Sequence, residues 1–163
     1  MPILCKAFSE GKPPLKFLSM ARNRIEVKAV NVAESIRSLP NLEEFVIFHN
    51  GIKEEGMTAL LQALGSLQKL KKLDIRDNFI IGSSLPELLK IIESENCVCS
   101  LNIGDCNVEE NQNLEILESL KKAQDTKKWE YFGHNYNELY DEKIRKEFID
   151  VLMKGGSLLV SFF

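Results

Sequence analysis

Positive charge in excess is the first thing this chain lacks: 21 lysines and arginines stand against 24 acids, a formal charge of -3. Nucleic-acid binders carry a basic stripe, so the balance argues against that class. No run of 18 apolar residues occurs to cross a membrane as a helix, and the first residues lack the basic-then-apolar layout of a secretion signal. The compartment to expect is therefore the cytosol or nucleus. Cysteine is sparse, at four residues. Cys97, Cys99 and Cys106 are near neighbours in sequence, yet no histidine or Cys-x-x-Cys pair stands at zinc spacing. Structural thiols in a reducing compartment are expected, with no metal. There is no glycine-rich phosphate loop, no H-E-x-x-H and no G-x-S-x-G. A Cys106–His134 nucleophile would lack an orienting acid and oxyanion donors, so neither an active site nor a cofactor is expected.

What the chain does have is a repeat. Leu70-Lys71-Lys72-Leu73-Asp74-Ile75-Arg76-Asp77-Asn78-Phe79-Ile80 reads L-x-x-L-x-L-x-x-N-x-I, the leucine-rich-repeat signature. Four further copies follow the same spacing: Leu15/Leu18/Met20/Asn23/Ile25, Leu42/Phe45/Ile47/Asn50/Ile52, Val98/Leu101/Ile103/Cys106/Val108 and Trp129/Phe132/His134/Asn137/Leu139. The leading positions 15, 42, 70, 98 and 129 give periods of 27, 28, 28 and 31. A partial sixth copy is expected from Leu159, with Phe162 at its next inward position.

The spacing has a physical cause. Alternating apolar residues make a short strand with one face inward. The asparagine amide can bond backbone groups where the chain curves without a regular ladder. Asn23, Asn50, Asn78, Cys106 and Asn137 are the expected structural ladder. One repeat cannot bury its apolar face alone, so stacking is obligatory. The whole chain, residues 1–163, is expected to form one right-handed horseshoe of α/β class, with a parallel sheet on the concave side and helices on the convex side.

Between the strands the pattern changes to helical spacing. Ile3, Leu4, Ala7 and Phe8 resemble the end of a preceding helix, stopped by Gly11 and Pro13-Pro14. Repeat one carries Val30, Ala33, Ile36 and Leu39 up to Pro40. Repeat two carries Gly56, Leu60, Leu61 and Leu64. Ser84-Leu85-Pro86-Glu87 predicts a capping box at the start of the third helix, followed by Leu88, Leu89, Ile91 and Ile92. Leu114, Leu117 and Leu120 are expected to face the core in repeat four, and the lysine-rich link 121–128 to be a solvated loop. Ile144, Phe148, Ile149 and Leu152 line the last helix. The closing run Ser157-Leu158-Leu159-Val160-Ser161-Phe162-Phe163 is too apolar for water and has no polar cap, which predicts self-association or a missing partner segment at Leu158 to Phe163.

The register also names the surface. Phe17, Ser19, Ala21, Glu44, Val46, Phe48, Lys72, Asp74, Arg76, Ser100, Asn102, Gly104, Tyr131, Gly133 and Asn135 point out of the sheet's concave face. Arg22, His49, Asp77, Asp105 and Tyr136 follow at the rim, then Arg24, Gly51, Phe79, Asn107 and Glu138. Aromatics, arginines and aspartates are the composition of a protein-binding surface. Arg22, Arg24, Phe48, His49, Arg76, Asp77, Asp105 and Tyr136 are the partner-binding candidates.

Phe48-His49-Asn50-Gly51-Ile52-Lys53-Glu54-Glu55-Gly56 and Leu70 to Asn78 resemble the ribonuclease-inhibitor-type repeats of Ran GTPase-activating proteins. Pro14-Leu15 leading to Ala21-Arg22-Asn23-Arg24-Ile25, and Leu101-Asn102-Ile103-Gly104-Asp105-Cys106, resemble successive repeats of that family over residues 13–160. The resemblance implies a cytoplasmic crescent, extending to the nuclear envelope, that grips the small GTPase Ran and accelerates its GTP hydrolysis in nuclear transport. Members of that family carry further repeats upstream, including those with the activating arginine, and an acidic tail downstream. The motif match assigns that role to none of Arg22, Arg24 and Arg76, so the resemblance implies a C-terminal portion or shortened relative that is inactive as this short chain. The alternative is a leucine-rich-repeat scaffold that binds another protein and does no chemistry.

Overall fold

The structure, a computed structural model, describes residues 2–95, 97–154 and 159–161, and the side chains of Pro2, Leu4, Ser9 and Leu159 lie outside that description. Short strands alternate with helices: α1 (Pro2–Gly11), β1 (Phe17–Ser19), α2 (Ala29–Ile36), β2 (Glu44–Val46), α3 (Glu54–Gly65), β3 (Lys72–Asp74), α4 (Ser84–Glu93), β4 (Ser100–Asn102), α5 (Glu110–Ala123), β5 (Tyr131–Gly133), α6 (Glu142–Lys154) and β6 (Leu159–Ser161). The strands form one sheet in chain order, every pair parallel. Helices pack successively on each other, α1 on α2 through to α5 on α6. Fold class and the register of the first five repeats follow the reading from sequence: Leu18, Phe45, Leu73, Leu101 and Phe132 are cross-strand partners.

The core lies between the two layers. Leu42, Leu70, Val98 and Trp129 are buried at the leading positions, and Ile47, Ile75, Ile103 and His134 two steps inside the strands. Behind them a column of amides closes each turn. Asn78 donates through Nδ2 to the carbonyls of Ile75 (2.9 Å), Arg76 (3.1 Å) and Ile47 (3.2 Å). Its Oδ1 accepts from Ile52 N (3.0 Å) and Asn50 N (3.3 Å). Asn50 repeats the pattern toward Asn23 and Ile25, and Asn137 toward Cys106 and Val108. Cys106 has no acceptor oxygen to offer; its thiol donates to Ile75 O at 3.4 Å, and burial pushes its pKa up to about 12.

Several helical details differ from expectation. Ser84 Oγ bonds Ile81 rather than capping its helix, and Glu87 accepts from Lys90 and Gln62. The first turn of α4 is served instead from the previous repeat: Glu54 Oε1 accepts from Ser83 N at 2.8 Å and from its hydroxyl. A capping box does form, between Glu109 and Gln112 on α5. Leu114 is 47% exposed and Ile149 40%, whereas Asn113, Ile116 and Val151 are buried. Asn113 occupies the core stripe because its Nδ2 donates to Glu138 O at 2.6 Å, which joins α5 to the next repeat. Ala29 and Val32 are buried while Val30 is half-exposed, and α2 ends at Ile36, before Pro40.

The lysine-rich link is not wholly solvated. Lys121 and Lys122 belong to α5, and Lys127 is only 5% exposed, its Nζ donating to Ile91 O (2.7 Å) with the Trp129 ring centroid 5.1 Å away. The longer period lets this lysine fold back and satisfy a carbonyl near the end of α4, where a cation is favourable. Burial lowers its pKa to about 8. At the last strand Val160 pairs with Phe132, so the inward position falls two residues before the expected Phe162. Phe162, with Leu158 and Phe163, lies outside the described residues.

Gly56 marks the tightest helix contact. A Cβ there would stand 2.7 Å from Ala29 Cβ and 3.1 Å from Ile52 Cγ2. Alanine in a helix interior is normally better than glycine by about 1 kcal/mol. Overpacking costs about 1–3 kcal/mol, so the clash decides the sign. Gly56→Ala is expected to lower the urea unfolding midpoint, and a raised midpoint would show that α2 and α3 can separate freely.

Candidate protein-binding face

The strands place two rows of side chains on the concave surface. Phe17, Glu44, Lys72, Ser100 and Tyr131 are lateral neighbours in the first row, and Ser19, Val46, Asp74, Asn102 and Gly133 in the second. Beyond the strand ends the chain keeps pairing: Arg22 N donates to Phe48 O, His49 N to Arg76 O, Asp77 N to Gly104 O and Asp105 N to Asn135 O. At these same positions each repeat turns through the left-handed region, at Arg22, His49, Asp77, Asp105 and, in the fifth repeat, Tyr136, with φ between 53° and 60°. Aspartate and histidine tolerate that conformation comparatively well. The repeated turn aims one polar or aromatic side chain per repeat along the rim.

Phe48 is the centre of this face. It is half-buried, with the Arg76 guanidinium 4.5 Å from its ring centroid and that of Arg22 5.4 Å away. Cations over an aromatic ring gain about 0.5–1 kcal/mol each at exposed sites. Arg76 Nε also meets Asp74 Oδ2 at 3.2 Å. Burial raises the pKa of Asp74, and the Arg76 charge and backbone amide oppose that shift. His49 contacts Asp77 on the rim.

Beside Phe48 runs a trough of about 270 Å³, bounded by Arg22, Arg76, Tyr131 and Tyr136 and floored by Gly104. Gly133 adds to its openness: a Cβ there would come within 2.6 Å of Asn102 Oδ1 and 2.5 Å of Tyr131 Oη. Tyr136 is 79% exposed. On the outer side of the rim a second groove of about 440 Å³ is lined by Arg24, His49, Gly51, Asp77, Phe79 and Asp105. All eight partner-binding candidates therefore bound one of two adjoining depressions.

The opposite edge of the concave face is occupied by its own ion pairs. Glu43 lies between Lys16 (3.0 Å) and Lys71 (2.9 Å), and hydrogen bonds from Lys71 and then Lys16 lower its pKa to about 2. Glu44 and Lys72 approach to 3.9 Å. These charges are satisfied laterally between repeats by ion pairs, whereas the other edge is held by two arginines over an aromatic ring. Sequence pattern did not reveal Tyr131 lying over Gly133 or Lys127 beneath Trp129; the 31-residue period was the one signal for the second.

Neither Cys106 nor His134 lines either depression. Cys106 is buried with its thiol held protonated and its proton directed at Ile75 O. His134 stacks on Phe132 and tilts against Phe148, and burial lowers its pKa to about 4. Among the described residues no three His, Cys, Asp or Glu side chains are grouped to hold a metal, and no helix is long and apolar enough to cross a membrane.

The Leucine Rich repeat family matches residues 38–61, which hold β2 and most of α3. Two solved structures superpose along nearly the whole chain. Leiomodin-1 actin-binding site 2 gives a TM-score of 0.76 at 13% identity, over 93% of this chain and 87% of that one. The tropomodulin C-terminal domain of Caenorhabditis elegans gives 0.74 at 11% identity, over 95% and 92%. The fold is a leucine-rich-repeat solenoid. Identity this low supports the architecture of the solenoid and leaves its partners open, and no curated protein matches its sequence significantly.

Proposed function

We propose that the solenoid is a non-enzymatic scaffold that holds a protein partner against its concave face, with Phe48 as the anchor. The observation that carries this is the clamp of Arg22 and Arg76 on Phe48 at the mouth of an open trough. Aromatic and arginine side chains dominate binding hot spots, and a ring already braced on both sides loses little freedom on association. Arg24, His49, Asp77, Asp105 and Tyr136 then supply the rim that fixes the partner's orientation.

Two proteins are the first to test. Actin enters because one structural neighbour is named for an actin-binding site. Ran enters through the motif resemblance at residues 48–56 and 70–78, although Arg22 and Arg76, both exposed, already lie against Phe48. Binding of monomeric actin and of GTP-loaded Ran, with single-turnover GTP hydrolysis for the latter, separates the readings. Acceleration of hydrolysis favours the GTPase activator, and binding without acceleration favours the scaffold.

A photo-reactive residue at Tyr136 tests the face itself. It is expected to crosslink a partner in a manner that Phe48→Ala abolishes, while the same probe at Leu114 on the convex helices gives no crosslink. Crosslinks that survive Phe48→Ala, or that form equally from Leu114, overturn the proposal.

A further inference from the structure

The rim reads as a charge sequence that is complementary to its own reverse. From repeat one to repeat four its members are Arg22, His49, Asp77 and Asp105, one on each successive strand end. Arg22 and Asp105 are exposed, and neither forms an ion pair with another described residue. Turn a second chain end for end about an axis between repeats two and three, and Arg22 faces Asp105 of the copy, while the His49–Asp77 contact within each chain lies against that of the other, His49 toward Asp77. Every contact occurs twice, as a two-fold interface requires.

The row just outside agrees in shape. Its members are Arg24, Gly51, Phe79 and Asn107, so the same operation sets the half-exposed Phe79 ring over Gly51, which has no side chain. Gly51 sits at a φ of +64°, which favours glycine there independently. Arg24 meets Asn107. The Glu26 stem borders the same spot, its Cγ 3.5 Å from where a Cβ on Gly51 would stand.

We infer that this rim binds a second copy of the same chain, antiparallel, with its two-fold axis between repeats two and three. The inference rests on the rim being a protein-binding surface. Strands about 4.8 Å apart put Arg22 and Asp105 about 14 Å from each other, which is a short strip. Strips of this size belong with transient interfaces below about 1,200 Å², so the dimer is weak and salt-sensitive.

Sedimentation equilibrium of the full chain at low and high salt tests it. Wild type is expected to dimerise reversibly at low salt. Arg22→Asp alone and Asp105→Arg alone each set like charges opposite one another twice and are expected to raise the dissociation constant at least tenfold. An equimolar mixture of the two single variants restores both pairings, and with it the dimer. Phe79→Ala, which leaves the charges in place, is expected to weaken association as well. A monomeric wild type overturns the inference. So does a dimer that neither charge reversal affects, since association through the final strand would behave that way. Arg22 and Asp105 also belong to the partner-binding face, so the separating variant is Phe79→Ala, which is not among those candidates and is expected to weaken the dimer while a probe at Tyr136 still crosslinks a partner.

Discussion

Asn78→Ala is expected to remove about 4 kcal/mol of stability, seen as a large drop in the urea midpoint. The side chain is 3% exposed and makes five hydrogen bonds to backbone groups of two repeats. Truncation leaves the amides of Asn50 and Ile52 without their acceptor in a closed interior, along with carbonyls that lose a donor. Each buried group so abandoned costs about 1–3 kcal/mol. Domains of this size are stable by only about 5–15 kcal/mol, so the loss consumes a large fraction. Asn23 offers the internal contrast. Its Nδ2 donates to Met20 and Ala21 at the solvent-facing end of the column, and Asn23→Ala is expected to cost under about 1 kcal/mol. Equal losses at the two positions would mean that the amides do not act as an interior column.

The second large effect concerns His134 and acid. Its ring is 1% exposed, between Phe132 and Phe148, and burial lowers its pKa to about 4 from 6.5. The unfolded chain takes up this proton below about pH 6.5 and the folded chain does not. Stability is therefore unaffected by this group at neutral pH, falls as pH drops from about 6.5 to 4, and levels off below that. A gap of that width corresponds to about 3 kcal/mol. His134→Phe keeps an aromatic in the slot and should abolish this part of the pH dependence, measured as the difference between the two stability curves. Glu43 acts in a lower window, because its carboxylate is held ionised down to about pH 2 and its contribution is lost only as pH falls toward that value. A difference curve flat between pH 4 and 6.5 would contradict the assignment.

The strand register was legible because it is written twice in each repeat. Apolar alternation sets the face, and the Asn or Cys that follows fixes the phase, so a slip of one residue would turn Phe45 and Leu73 out of the core. The same phase placed Arg22, Phe48 and Arg76 on neighbouring strand ends. The helices carry less information. Leu114 and Asn113 stand side by side, and burial went to the asparagine because Glu138 O lies within its reach, a contact invisible without the neighbouring repeat. Ser84 and Glu87 have capping spacing, but Glu54 from the preceding helix reaches the exposed amide of Ser83 first. In the final segment, positions 160 and 162 are two apart in sequence and so share one phase of a period-2 pattern. Alternation therefore could not choose between Val160 and Phe162. Lys127 shows the reverse error, since a lysine in a charged stretch reads as solvated until an insertion gives it the length to reach Ile91 O.

The candidate face was legible in part. Register placed Arg22, Phe48 and Arg76 on neighbouring repeats, but the clamp on Phe48 depends on two arginine rotamers that no pattern encodes. The direct test is the affinity of a crosslinked partner for wild type and for Phe48→Ala, with Met153→Ala on the exposed side of α6 as the control. The scaffold reading predicts that Phe48→Ala costs at least about 2 kcal/mol, roughly 30-fold in affinity, while the control binds as wild type does. A folded Phe48→Ala protein that keeps wild-type affinity would contradict it.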